Sequence, residues 1–136
     1  MITGVNHVTL SVRDLDESVR FYTEVLGFAP AAKWQTGAYL VSGELWLALV
    51  VDPHLRSQMP EEYSHIAFNV TLKDFPELSK RVIISGAPIW QENRSEGLSL
   101  YFVDPNGHKL ELHTSNLTNR LKAANEDGWE DLRLFD

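Results

Sequence analysis

Apolar and polar positions alternate along this chain in two similar runs. In Val5–Val12 (VNHVTLSV) a rough period of two, rich in Val and Thr, predicts a strand. Because successive side chains alternate, His7, Thr9 and Ser11 share one of its faces. Asp14, with Glu17 three residues on, has the form of a capping box. Leu15, Val19, Phe21, Tyr22, Val25 and Leu26 then recur near helical spacing until Gly27, predicting a helix over Leu15–Leu26. Phe28–Trp34, Ala38–Val41 and Leu45–Val51 predict three strands, punctuated at Gly37 and at Ser42-Gly43-Glu44. Asp52–Glu62 has two prolines, several charges and no periodicity, and reads as a linker.

The same pattern then returns. Ser64–Val70 (SHIAFNV) mirrors Asn6–Val12 (NHVTLSV), and the two histidines stand 58 residues apart. Asp74 can start a second helix that Gly86 ends. Ala87–Glu92, Leu98–Val103 and Lys109–His113 predict three more strands, the last two joined by the turn Asp104-Pro105-Asn106-Gly107. The order βαβββ, linker, βαβββ predicts an α+β domain built from two repeated modules, 1–51 and 63–114, joined by 52–62. In the remainder, 115–136, a short helix is expected at Asn116–Ala124 with Arg120 midway. The end of the chain is loosely patterned, and Trp129, Leu132, Leu134 and Phe135 could dock on a partner surface.

Composition narrows the chemistry. The chain has 136 residues, 43% of them apolar, enough for one buried core. It has no cysteine, which excludes disulfides, thiolate metal sites and a cysteine nucleophile, and suits a reducing cytoplasm. No apolar run is long enough for a membrane span, and the first residues lack the form of a signal peptide. With a net charge of −7 there is no basic footprint for nucleic acid. An anionic substrate would need local positive charge.

Within that frame one stretch departs from scaffold, Asn93–His113 (NRSEGLSLYFVDPNGHKLELH). Glu111 is a carboxylate in a strand that otherwise reads as core, and burying it unpaired is costly. Together with the repeat-related His7 and His65 it makes a two-imidazole, one-carboxylate metal site, which would leave coordination positions open to a substrate oxygen. Taken singly, each histidine reads more readily as a packed or solvated strand residue, and it is the joint pattern that points to a metal. His113 shares a face with Glu111, as a support or a rival ligand. His108, after the turn glycine, is expected to be exposed, and His54 has no assigned role. Asn93, Ser95 and Ser99, with carbonyls freed by Gly97, offer oxygens to a monovalent cation or hydrogen bonds to an oxyanion. The same loop could equally be a polar surface hairpin. Arg94 and Arg120 are candidates for bidentate anion binding. Trp34, Tyr39, Trp46, Tyr63 and Tyr101 are core or cross-strand aromatics unless a site claims them.

The segments GVNHVTLSVRDLDESVRFYTEVLGF, KWQTGAYL, GELWLAL, YSHIAF, WQENRSEGLSLYFVDPNGHKLELH and NLTNRL resemble the vicinal oxygen chelate (glyoxalase/bleomycin resistance/extradiol dioxygenase) superfamily. Within it they are most similar to fosfomycin resistance proteins, closest to the FosA-type glutathione transferases. The resemblance implies paired βαβββ modules swapped across a homodimer, with His7 from one chain and His65 and Glu111 from the other holding Mn²⁺. It implies a Lewis-acid-assisted addition of glutathione to the fosfomycin epoxide. K⁺ would lie in the loop of Asn93, Ser95, Gly97 and Ser99, and the phosphonate against Thr9, Ser95, Ser99, Tyr101 and Arg120. Trp46 and Tyr63 would touch substrate, Tyr39 would assist the thiol and Trp34 would lie near its entrance. One position departs: where the glutathione-using members carry lysine, this chain has Gln91, which can hydrogen bond but cannot neutralise an anion. Two alternatives stay open. In one, water opens the epoxide with Glu44 as a possible base. In the other, the protein sequesters a small molecule without metal, as bleomycin-resistance relatives do.

Overall fold

The computed structural model describes residues 1–136. Two four-stranded sheets form, each with its first strand at an edge beside its fourth. In the first, β1 (Val8–Val12) runs parallel to β4 (Leu45–Val51), and β3 (Gly37–Ser42) and β2 (Ala29–Trp34) follow antiparallel. In the second, β5 (Ile66–Asn69) runs parallel to β8 (Lys109–His113), followed by β7 (Ser99–Val103) and β6 (Ile89–Gln91). The registers correspond: Val8 faces Leu47 as Ile66 faces Leu110. The repeat read from the sequence is therefore a structural one.

The inward positions of both sheets share one core. Leu10, Leu40, Leu47 and Leu49 from the first meet Phe102, Leu110 and Leu112 from the second. Helix α1 (Leu15–Arg20) packs on β3 and β4, with the Asp14 carboxylate accepting from the Glu17 N–H as expected. The helix does not run evenly to Leu26. Phe21–Val25 widens into a π-helical turn, with Leu26 N–H donating to the Phe21 carbonyl at 3.2 Å. Within this widened turn the neighbours Phe21 and Tyr22 are both buried. Helix α2 (Phe75–Ile84) presents Phe75, Leu78 and Val82, at amphipathic spacing, to the same core. Asp74 makes no side-chain cap. Thr71 does instead, its hydroxyl accepting from the Asp74 N–H at 3.1 Å. Helix α3 (Leu117–Glu126) is capped by Asn116 and runs two residues beyond the expected Ala124. Trp129, Leu134 and Phe135 beyond it are exposed.

The modules are fastened by a buried polar network that the sequence did not suggest. The Asp104 carboxylate accepts from Tyr22 Oη at 2.7 Å, Asn106 N at 2.8 Å and His108 N at 2.9 Å. Asn106 donates to Ser18 Oγ and accepts from the Arg13 N–H. His108, expected to be exposed, is buried. Its Nε2–H donates to the Ser11 carbonyl at 2.7 Å, and its Nδ1 accepts from Arg56 at 3.0 Å. Arginine has no acceptor, so this arrangement fixes the tautomer. The linker thus folds over the Asn106-Gly107 turn: Arg56 contacts His108, and Lys109 donates to the Glu62 carbonyl. Burial raises Tyr22 well above the ordinary tyrosine pKa, with the Asp104 charge and hydrogen bond adding to it. Asp52, bonded by Ser11 Oγ at 2.6 Å, is lowered by that bond and by the His54 N–H.

Candidate active site

Each sheet buries one face and leaves the other open. On the second sheet, the alternation that sends Leu110 and Leu112 inward turns Glu111 and His113 to the open face. The antiparallel register sets Tyr101 beside Glu111 and Ser99 beside His113, and Gln91 faces Tyr101. His65 stands one residue ahead of β5, not within it, because the parallel ladder begins only at Ile66 opposite Leu110. It reaches the same face. The outcome is a cleft of about 400 Å³ lined by Tyr63, His65, Gln91, Arg94, Ser95, Tyr101, Glu111 and Arg120.

The chemistry of the donors is specific. His65 Nδ1–H donates to the Tyr63 carbonyl at 2.8 Å, which leaves its Nε2 lone pair exposed to the cleft. That lone pair faces Glu111 Oε1 at 3.0 Å. With a neutral imidazole two acceptors converge here, a contact that either a proton on Nε2 or a divalent ion lying against both satisfies, so the pair suits a cation. The carbonyl behind the imidazole is the kind of support that orients a metal-ligating histidine. Glu111 is 5% exposed, and its other oxygen accepts from Ser99 Oγ at 2.7 Å. No third His, Cys, Asp or Glu of the same chain completes a metal-holding group of three with them.

His7 lies elsewhere, one residue ahead of β1 on the open face of the first sheet. Its ring is 4.3 Å from Trp46, which meets Tyr39 at 5.1 Å, which meets Trp34 at 4.8 Å. Thr9 shares this face. Trp34 and Tyr39 are 40% and 38% exposed, whereas the Trp46 indole N–H is buried with no partner. The face is a ladder of aromatics ending in a histidine, with nothing in the chain to cover it. The registers add a point that spacing did not show. Ala67 faces Glu111 in the second sheet, and Thr9 faces Ala48 in the first. Ala48 stands where the second module has its carboxylate, so each pair of modules carries one glutamate and two histidines.

The loop over the cleft closes on itself. Asn93 Nδ2 donates to the Gly97 carbonyl at 2.8 Å, and Asn93 Oδ1 accepts from Ser95 N at 3.1 Å. The Ser99 hydroxyl is not part of this loop but is directed at Glu111 and His113. Gln91 donates to Tyr63 Oη at 2.9 Å across the cleft mouth. Glu44 sits in the β3–β4 turn and does not line this cleft. The remaining carboxylate nearby, Glu96, accepts from Ser115 Oγ and lies 3.9 Å from Arg120.

Comparison with known proteins matches residues 4–112 to the Glyoxalase/Bleomycin resistance protein/Dioxygenase superfamily. The chain is 48% identical over 128 residues to a glutathione transferase FosA of Serratia marcescens, spanning 93% of this chain and 91% of that one. It is 38% identical to a metallothiol transferase FosB of Shouchella clausii, over 89% and 86% of the two chains. Among solved structures, FosX of Mesorhizobium loti superposes with a TM-score of 0.76 at 33% identity, covering 89% of this chain and 99% of that one. FosX of Listeria monocytogenes, crystallised with Mn(II) and 1S,2S-dihydroxypropylphosphonic acid, gives 0.78 at 27% identity, covering 90% and 99%.

Proposed function

The chain belongs to the glyoxalase/bleomycin resistance protein/dioxygenase superfamily, among its fosfomycin resistance enzymes, and from that membership we propose that it adds a thiol, glutathione in the first instance, to the epoxide of fosfomycin or a similar phosphonate. The observation that carries this reading is the pairing of the His65 lone pair with the buried Glu111, in one cleft with two arginines.

His65 and Glu111 would hold Mn²⁺ together with His7 of a second copy. When bound, the ion supplies Lewis-acid polarisation of the epoxide oxygen. The open faces support a homodimer in which the aromatic face of one chain closes the cleft of the other. Arg94 and Arg120, with Ser95 and Tyr101, line the cleft where the phosphonate would lie, and two guanidiniums offset its charge in a protein of net charge −7. Asn93, Ser95 and Gly97 would supply oxygens to K⁺ beside them. From the facing chain, Thr9 would donate to the substrate, Trp46 would pack against it, and Tyr39 would receive the thiol proton's hydrogen bond with Trp34 at the entrance. The sulfur–carbon bond forms as the carbon–oxygen bond breaks, and the thiol proton ends on the new hydroxyl.

The likeness to FosX, crystallised with a dihydroxypropylphosphonic acid, keeps hydrolysis as a second reading. Water attack needs a carboxylate base at the cleft. Glu44 lines a separate cavity with Val5, Val8 and Leu45 rather than the face of Trp34, Tyr39 and Trp46 that would close the cleft, and Glu96 is engaged by Ser115, so thiol addition is favoured. Mass spectrometry of fosfomycin incubated with the protein, Mn²⁺, K⁺ and glutathione, cysteine or bacillithiol tests the proposal. A thiol adduct that vanishes on chelation is expected. A diol formed without thiol would move the assignment to hydrolysis, and no product with any thiol would refute it.

A further inference from the structure

Behind Glu111 runs a chain of hydrogen bonds that ends at Arg120. Arg120 Nη2 lies 3.3 Å from His113 Nε2, His113 Nδ1 lies 2.6 Å from Ser99 Oγ, and Ser99 Oγ lies 2.7 Å from Glu111 Oε2. The direction of every bond is fixed from one end. Arginine can only donate, so His113 Nε2 accepts and the ring proton sits on Nδ1. Nδ1–H therefore donates to Ser99, and the single Ser99 proton goes to the carboxylate. Nδ1 is also 3.3 Å from Glu111 Oε2. The ring is clamped in this pose: its Cε1 lies 3.2 Å from where a Cβ on Gly97 would stand, and its side chain is 14% exposed.

We propose that His113 is a positioning residue that holds two binding elements at once, through Nδ1 the metal-ligating carboxylate and through Nε2 the anion-binding guanidinium. Arg120 depends on this contact, because its Nε is buried without a hydrogen-bond partner and Glu96 stands 3.9 Å away. Ser99, assigned from the sequence to the cation loop and the phosphonate, serves in this arrangement as the middle of the chain. The inference rests on the proposed metal-and-phosphonate reading of the cleft and says which residue ties its two halves together.

The two ring nitrogens can be separated by substitution. An asparagine amide nitrogen can take the place of Nδ1, and a glutamine amide oxygen the place of Nε2. His113→Asn keeps the donor to Ser99 and loses the acceptor for Arg120. His113→Gln does the reverse. Mn²⁺ binding is read from the free-ion electron paramagnetic resonance signal, and binding of inorganic phosphate to the metal-free protein by calorimetry. The Gln variant is expected to lose about 10- to 100-fold in Mn²⁺ affinity with phosphate binding little changed. The Asn variant is expected to lose about fivefold to tenfold in phosphate affinity with Mn²⁺ binding little changed. Parallel losses in both variants, or no loss in either, would overturn the inference while leaving the proposed function standing. A wild-type chain that binds neither Mn²⁺ nor phosphate would sink both.

Discussion

Asp104 offers the sharpest test of how the two modules are joined. Its carboxylate is 4% exposed and is the common acceptor for Tyr22 Oη, Asn106 N and His108 N, at 2.7, 2.8 and 2.9 Å. Asp104→Ala strands all three donors in a site that water does not reach. A buried donor left unpaired costs about 1–3 kcal/mol, and neighbouring losses are not additive, so about 3–5 kcal/mol is expected in total. That is a large part of the roughly 5–15 kcal/mol that holds a domain together. Tyr22→Phe is the matched comparison. It removes one bond but leaves Asp104 with both backbone donors, and is expected to cost only about 1 kcal/mol. Urea unfolding at constant m gives both values. Asp104→Ala should lower the midpoint far more than Tyr22→Phe. If the two variants agree within about 1 kcal/mol, the network is not the fastening described.

Three further outcomes follow from the same geometry. Tyr22 holds its proton more tightly folded than unfolded, so its contribution is whole below about pH 10 and is lost as pH rises from there through the folded pKa; Tyr22→Phe should flatten the alkaline fall in stability, and identical curves above pH 10 would contradict this. Gly97 has φ +84°, and a Cβ there would lie 2.7 Å from Ser115 Cβ, a stem atom that cannot swing aside. Gly97→Ala should cost about 2–3 kcal/mol by thermal or urea unfolding and disturb the adjacent His113, and a loss under about 0.5 kcal/mol would contradict it. Gln91→Lys places a cation at the cleft in place of the amide that donates to Tyr63 Oη. A charge-assisted hydrogen bond worth about 1.5–3 kcal/mol should lower the KM for fosfomycin at least tenfold, and an unchanged KM would mean the Gln91–Tyr63 pair suffices.

The repeat, the order of elements along the chain and the suspicion attached to Glu111 were legible because each rests on a local pattern. Alternation shows a carboxylate in a core strand, and the two His-containing runs show a duplication. The capping of α1 by Asp14 lay within one turn of chain. What was not legible depended on distance. His108 follows a turn glycine and reads as surface, yet its partners Ser11 and Arg56 come from 97 and 52 residues away. The widened turn at Phe21–Val25 carries Tyr22, whose hydroxyl reaches Asp104, a contact 82 residues distant. Ser99 reads as a loop oxygen until the register with His113 turns its hydroxyl to Glu111. Ala48 could be recognised as the counterpart of Glu111 only once both parallel registers were known.

In the proposed site, His7 on one chain completes the His65–Glu111 pair of another. His7→Ala and Glu111→Ala are each expected to abolish Mn²⁺-dependent thiol-adduct formation as homodimers. When the two variants are unfolded together and refolded, half the dimers should be mixed, each with one intact site, and activity should return to about a quarter of wild type. No recovery in verified mixed dimers, or full activity in the His7→Ala homodimer, would contradict the shared site.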